Sequence, residues 1–238
     1  MKIATYNINN INRRLPNLLR WLRAAKPDVV SLQELKASDA EFPLTAIEKC
    51  GYGAVWRGQK TWNGVSILAR KAEPVLIRDR LPGNRDDEEA RYIEAAVRGV
   101  IVTSIYAPNG NPIGTEKFQF KLAFMEALKT HLSGLLELEE RFVIAGDYNV
   151  IPREVDCHNP AVWTGDALFQ PETRAAYRAL LNLGLTDAYM QADGAAHRYT
   201  FWDYQAGAWQ KDHGIRIDHL LLSPQAADRL DGVSIFKK

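Results

Sequence analysis

Short apolar runs alternate with polar breaks along this chain, and the spacing of the apolar residues switches between strand-like and helix-like. Lys2 to Asn7 is short and β-prone and predicts an opening strand. From Leu15 to Ala25 the period changes, because Leu15, Leu18, Leu19 and Leu22 fall on one helical face. Pro27 ends that helix, and Asp28 to Glu34 predicts a buried strand. Phe42 to Lys49 predicts a second helix. Strands are expected at Gly53 to Trp56, Val65 to Ala69, Val75 to Ile77, Tyr92 to Val97 and Val100 to Tyr106. Glu116 to Glu140 predicts the longest helix, and Phe142 to Ala145 a short strand running into Gly146-Asp147-Tyr148-Asn149. A Pro-containing connection, Ile151 to Pro171, precedes a helix over Glu172 to Leu183, and Ile215 to Leu222 predicts a closing strand.

This mixture predicts an α/β or α+β domain with helices outside and sheet inside. Several strands follow one another without a helix between them, which disfavours a Rossmann fold or a TIM barrel. Neither a GxGxxG nor a Walker A sequence is present. With 238 residues, 46% hydrophobic and 25% charged, the chain is globular in composition. No repeat and no Gly/Ser linker divides it, so residues 1–238 are expected to form one domain. Apolar runs such as Gly99 to Ile105 are too short to cross a bilayer. The N-terminus lacks a secretory pattern, and Cys50 and Cys157 form no CxxC pair, which predicts a reducing cytoplasm. The net charge is +1, but residues 1–119 carry 18 Lys/Arg against 13 Asp/Glu while residues 120–238 carry 12 against 16. That split fits a basic face beside an acidic site, and it fits chance equally well.

Polar residues at strand ends carry the candidate chemistry. Asn7 and Asn9 follow the first strand, where alternation puts them on one face; the plainer reading is a turn. Glu34 directly follows the apolar Val29-Val30-Ser31-Leu32 and needs a partner, either a hard cation such as Mg2+ or Lys36. Asp147 and Asn149 offer a carboxylate and an amide on one face, with Gly146 allowing a ligand close, or they form a β-turn. Tyr106 and Asn109 place a phenol and an amide at the sheet rim, able to contact phosphate, or simply open a Pro-Asn-Gly turn. Asp218 interrupts an apolar strand and needs a His or Arg, with Arg216 available for a purely structural pair. Together these groups fit a Mg2+-assisted phosphodiester hydrolase.

The sequence closely resembles the bacterial exodeoxyribonuclease III family of the endonuclease/exonuclease/phosphatase superfamily. The matching stretches are Asn7-Ile8-Asn9, Leu32-Gln33-Glu34, Asn63-Gly64-Val65, Asp87-Glu88-Glu89 with Arg91, Tyr106-Ala107-Pro108-Asn109-Gly110, Gly146-Asp147-Tyr148-Asn149-Val150, Thr200-Phe201-Trp202-Asp203-Tyr204 and Arg216-Ile217-Asp218-His219. They occur in family order over essentially the whole chain. The resemblance implies a four-layer α-β-β-α sandwich, two mixed sheets face to face with helices outside. It implies Mg2+ or Mn2+, and duplex DNA with abasic sites or 3′ ends as substrate, cut 5′ to the abasic site and 3′ to 5′. By motif match Asn7 and Glu34 bind the metal with Asp147 and Asn149 beside it. Asp147 helps activate water, Asn149 stabilises the phosphoryl oxygens, Tyr106 contacts the phosphate, and Asp218 matches a catalytic Asp. Arg91 and Asn109 are implied phosphate contacts. Phe201, Ile215 and Ile217 line an apolar pocket for a sugar without its base, with Trp202 beside them among the DNA-binding residues.

The family pattern ends in a Ser-Asp-His segment, whereas this sequence ends at Ser234-Ile235-Phe236-Lys237-Lys238. None of His131, His158, His197, His213 and His219 stands in that pattern, and alternation turns His219 away from Asp218. The expectation is a truncated chain of an active enzyme, its activity impaired; the alternatives are a His supplied by a partner and a non-catalytic DNA-binding remnant. A phosphatase or phosphodiesterase of the same superfamily acting on small phosphoesters is the alternative function. The protein is expected to be a monomer, nucleoid-associated and away from membranes. Arg78, Arg80, Arg85 and Arg91 around Asp86 to Glu89 predict a self-paired loop; Trp163 and Phe169 read first as core or sheet packing, with a wedge into a DNA groove as the alternative.

Overall fold

The structure, a computed structural model, describes residues 1–84 and 88–237. Arg85, Asp86 and Asp87 lie outside the described residues, and with them the first residue of the Asp87-Glu88-Glu89 motif. The chain divides into two compact units, residues 1–106 with 140–147 and residues 107–139 with 148–238.

The first unit contains β1 (Ile3–Asn7), α1 (Ile11–Ala25), β2 (Val29–Gln33), α2 (Leu44–Lys49), β3 (Tyr52–Arg57), β4 (Val65–Arg70), β5 (Val75–Arg78), β6 (Tyr92–Val97), β7 (Val100–Tyr106) and β8 (Phe142–Asp147). One sheet runs β1-β2-β4-β3, with β1 and β2 parallel and the other pairs antiparallel. Strands β5-β6-β7-β8 pair in that order, the last pair parallel. The two sets of strands face each other. Val29, Val65, Ile67 and Ala69 on one side meet Ile93, Ala95, Val97 and Val102 on the other, each set at alternate positions along its strands. The opposite face of β2, Val30 and Leu32, packs with Leu18 and Leu22 of α1 and Ile47 of α2. Burial on both faces explains why β2 reads as an unbroken apolar run. Each fully buried aliphatic side chain contributes about 1.5–3 kcal/mol. Helix α1 begins four residues before the leucine stripe, because Asn10 caps it by accepting from the Arg13 amide at 2.9 Å.

A buried polar seam crosses this apolar interior. Ser31 Oγ donates to the Ala145 carbonyl at 3.2 Å, and Gln33 Nε2 donates to Ser31 Oγ at 2.8 Å and Ser104 Oγ at 3.1 Å. Ser104 Oγ in turn donates to the Leu32 carbonyl at 2.9 Å. These bonds fix how the two sets of strands slide past one another, beneath the ends of β1, β2 and β8.

The second unit contains α3 (Glu116–Leu136), α4 (Pro171–Leu181), β9 (Thr186–Asp187), α5 (Ala188–Ala192), β10 (Phe201–Trp202), α6 (Ala208–Lys211), β11 (Gly214–Ile215), β12 (Asp218–Leu222) and α7 (Pro224–Ala227). Helix α3 stops at Leu136, four residues short of expectation. Glu137, Glu139 and Glu140 would oppose the negative end of its dipole. The expected strand from Ile215 to Leu222 is two strands. Ile215 pairs with Phe201 of β10, whereas Leu221 pairs with Asp187 of β9, so Arg216 and Ile217 fall between two ladders. Among the described residues, no helix is long and apolar enough to cross a membrane.

Candidate active site

In the first unit, Asn7, Glu34 and Asp147 end three strands of the sandwich. Strand β1 pairs with β2 so that Asn7 stands opposite Gln33, which leaves Glu34 one residue beyond. Glu34 has a left-handed backbone, φ 54°, so the strand ends there and its side chain leaves the ladder. Strand β8 reaches Asp147, two residues further than the apolar run, and Asp147 is 3% exposed. Gly146 makes this approach possible: a Cβ there would lie 2.1 Å from the Ile105 carbonyl oxygen on the neighbouring strand.

These side chains converge on one atom. Asn7 Nδ2 donates to Glu34 Oε1 at 2.8 Å and to Asp147 Oδ2 at 3.0 Å. Lys36 Nζ lies 2.8 Å from Glu34 Oε2 and donates to Asn9 Oδ1 at 2.7 Å. The Lys36 reading of Glu34 is the one seen directly: one oxygen pairs with Lys36 and the other accepts from Asn7. Asn9 does not follow Asn7 in strand alternation. It is left-handed, φ 46°, and its amide donates to Asn7 Oδ1 at 3.2 Å, so it forms the turn that orients Asn7.

Among the described residues, no group of three His, Cys, Asp or Glu side chains gathers as a metal cluster. The donors present are two carboxylates and an amide. The two N–H groups of the Asn7 amide serve one oxygen of each carboxylate, but the amide is neutral and carries no charge to offset theirs. An all-oxygen set of this kind fits Mg2+ or Mn2+, with the amide turned to present its oxygen and water completing the shell.

Tyr106 ends β7 in the same unit. Burial, and next the charges of Glu34 and Asp147, push its phenol well above the ordinary tyrosine range. It therefore stays protonated near neutrality and acts as a hydrogen-bond donor. Arg91 holds it: the guanidinium lies 4.9 Å from the Tyr106 ring centre, and Nη1 donates to the Tyr106 carbonyl at 3.2 Å. Arg91 Nε also donates to Glu89 at 2.5 Å, so Arg91 and Glu89 keep the expected loop pairing. Arg78 departs from that expectation: it pairs with Glu94 at 2.9 Å rather than with the acidic run.

The second unit holds the other matched residues. Asn149 lies past the end of β8 with a left-handed backbone, φ 51°, so turn geometry and not strand alternation sets its direction. Its Nδ2 donates to the Ala107 carbonyl at 2.9 Å. Lys121, buried on α3, donates to the Asn149 carbonyl at 2.6 Å and the Asn109 carbonyl at 3.1 Å. Asn109 is exposed, and its Oδ1 accepts from Asn111 Nδ2 at 2.8 Å. The Tyr148 amide donates to the Ile217 carbonyl at 3.0 Å, which sets residues 148–149 alongside Ile217 and Asp218. Thr200 Oγ1 accepts from the amides of both Ile217 and Asp218 at 3.1 Å.

Arg216 is not the partner of Asp218. It is 1% exposed and donates to both oxygens of Asp156 at 3.1 Å and to Asp187 Oδ2 at 2.9 Å. His219 completes this network, with Nε2 3.0 Å from the Val150 carbonyl and Nδ1 3.0 Å from Arg216 Nη1. Burial, and then the Arg216 charge, push His219 down to about 4, so it is neutral. Ile215 and Ile217 are buried in one cluster with Ile151, Leu168 and Phe169, against which Phe201 and Trp163 pack. Phe169 is buried in this cluster and Trp163 is half-buried against it, as the packing reading expects. Trp202 donates from Nε1 to Asp212 Oδ1 at 2.9 Å and touches Trp209 at 4.8 Å between ring centres.

Sequence reasoning missed Lys121 and the Arg216 network. For Lys121 a signal exists: it shares a helical face with Phe118, Phe124, Met125 and Leu128, where a lysine is out of place.

A family model described as the endonuclease/exonuclease/phosphatase family matches residues 4–236. The chain is 33% identical to exodeoxyribonuclease III of Haemophilus influenzae, over 99% of this chain and 92% of that one. Among solved structures it resembles a 3′-5′ exonuclease from Neisseria meningitidis, with a TM-score of 0.93, 37% identity, and 98% and 90% of the two chains covered. It also resembles an AP endonuclease from Archaeoglobus fulgidus, with a TM-score of 0.91, 34% identity, and 96% and 88% covered. The expected α/β sandwich of two mixed sheets with helices around them is the fold these comparisons show.

Proposed function

The chain belongs to the endonuclease/exonuclease/phosphatase family, and we propose that it is a Mg2+- or Mn2+-dependent DNA repair nuclease. Its proposed substrate is duplex DNA, hydrolysed 5′ to abasic sites and 3′ to 5′ from ends. The observation that carries this reading is the single Asn7 nitrogen shared by Glu34 and Asp147 at 2.8 and 3.0 Å. The names of the relatives, an exodeoxyribonuclease III and an AP endonuclease, support the substrate.

Glu34, Asn7 and Asp147 would hold the ion, with Asn149 beside it. When bound, the ion supplies positive charge against the phosphate oxygens. Asp147 takes the proton of the attacking water. The Tyr106 phenol, kept protonated, donates to a phosphate oxygen, and Arg91 fixes its ring and adds a positive charge. The Asn149 amide donates to the phosphoryl oxygens as their charge grows. Asp218, set beside residues 148–149 by the Tyr148–Ile217 bond, serves as a further catalytic carboxylate. Ile215, Ile217 and Phe201 receive the sugar that lacks a base, while Trp202 and Asn109 contact the strand around it. The protein works as a single domain over residues 1–238, as a monomer, in a nucleoid-associated, cytoplasmic setting where the free thiols Cys50 and Cys157 remain reduced.

The test is a duplex carrying one abasic-site analogue, incubated with Mg2+ or with EDTA, resolving bound and cut DNA. Mg2+-dependent cutting on the 5′ side, with binding that falls steeply with salt, is the expected result. Turnover of a soluble phosphoester without DNA cutting would replace this reading with the phosphatase one. Mg2+-independent binding without cutting would replace it with a DNA-binding module.

A further inference from the structure

We propose that Lys121 is a positioning residue for this reaction: its buried ammonium pins the backbone of Asn149 and of the Pro108–Asn109 turn, and so aims the Asn149 amide at the phosphoryl group. The proposal rests on the nuclease reading of Asn149.

Lys121 is fully buried on the apolar face of α3. Its Nζ donates to the carbonyls of Asn149 at 2.6 Å, Asn109 at 3.1 Å and Pro108 at 3.2 Å. An ammonium has three N–H groups, enough for one to each of these three carbonyls. The stem takes part as well. Gly110 has φ +88°, and a Cβ there would lie 2.6 Å from Lys121 Cδ, so the turn closes directly onto the side chain.

Packing alone does not explain a charge at this position. A leucine or methionine would fill an apolar helical face without desolvating an ammonium. What the charge adds is a hold on three main-chain oxygens, two of which belong to residues matched to substrate contacts. Asn149 needs such a hold. Asparagine tolerates φ 51° without being confined to it, so the main-chain hold selects this conformation, and the Asn149 side chain has a second anchor at the Ala107 carbonyl, 2.9 Å away. Lys121 ties both ends of that arrangement, because Pro108 and Asn109, which follow Ala107, and Asn149 are held through the same nitrogen.

The test uses the whole chain with Lys121→Met, which keeps an unbranched stem as far as the Cε position and removes the ammonium, and with Lys121→Ala. Lys121→Met is expected to lower kcat for abasic-duplex incision about 100-fold, with KM within about threefold, as for a displaced transition-state donor. Lys121→Ala removes a segment equal in length to n-propylammonium. Adding that cation is expected to restore kcat at least about tenfold, while n-propanol is not. Thermal unfolding confirms that both variants are folded at the assay temperature. Independently of activity, the Asn149 side-chain amide signals in a 15N–1H NMR spectrum are expected to shift in Lys121→Met. A kcat within about threefold of the parent in Lys121→Met overturns the proposal, as does equal rescue by n-propanol or an unmoved Asn149 amide. If the parent chain itself does not cut, the nuclease reading fails, and the Asn149 amide signals still decide the positioning claim.

Discussion

Asn7 Nδ2 donates to Glu34 Oε1 at 2.8 Å although 27 residues separate the two in sequence. The parallel pairing of β1 with β2 produces this contact: Asn7 stands opposite Gln33, and Glu34 turns out of the ladder immediately after it. A slip of one residue would turn every side chain of β2 to the other face and carry Glu34 away. Asn7→Ala removes the group between Glu34 and Asp147. It is expected to lower kcat about 100-fold and to raise the Mg2+ concentration giving half-maximal rate, both read from incision rates across a Mg2+ series.

Gly146→Ala tests how tightly β8 must approach β7. The added Cβ would lie 2.1 Å from the Ile105 carbonyl oxygen and 2.8 Å from its Cγ1, so the backbone must move. The expected loss is about 2 kcal/mol or more in chemical unfolding. Because Asp147 is the next residue, activity should fall beyond what the unfolded fraction explains.

Tyr106 provides a test through pH. Its phenol is pushed up by burial and by two nearby carboxylates, so it does not titrate in the working range. Tyr106→Phe is expected to lower kcat about 100-fold by the same factor at every pH from about 6 to about 9. A loss confined to the alkaline limb would mean that the phenolate, and not the phenol, is the active form.

His219 makes stability depend on pH. Its folded value of about 4 lies below its ordinary 6.5. Between those values the unfolded chain binds a proton that the folded chain does not. Stability therefore falls as pH drops through that window, by roughly 3 kcal/mol. Asp156 and Asp187 are held below the ordinary carboxylate range, so their contribution is lost only at lower pH, below the unfolded carboxylate value. Urea unfolding at about pH 7 and pH 4.5 should show a steeper loss for the parent than for His219→Gln. Equal losses would remove His219 from the account.

The places of the candidate site residues were legible because they sit where apolar strands stop, and a stop is a local signal. Asn7, Glu34, Tyr106 and Asp147 all end strands that the alternation located. Residues that act through distant partners were not legible. Arg216 suggested a pair with Asp218, two positions away, but its partners are Asp156, 60 residues before it, and Asp187, 29 residues before it. No local pattern encodes such a choice. The broken strand at Ile217 was hidden for a similar reason, since two different ladders claim its two ends. Elements β9, β10 and β11 span two residues each, too few for any period to register. Lys121 shows the reverse case: the anomaly of a lysine among Phe118, Phe124 and Leu128 was visible, but the carbonyls that answer it were not.

Glu34 and Asp147, joined through Asn7, are proposed to hold the divalent ion with which this chain cuts DNA. The most direct measurement is the incision rate of an abasic duplex against Mg2+ concentration, for the parent chain and for Glu34→Gln. Glu34→Gln is expected to need at least about tenfold more Mg2+ for its half-maximal rate, because one charged oxygen donor is gone. An unchanged Mg2+ dependence, or equal cutting by both proteins in EDTA, would contradict it.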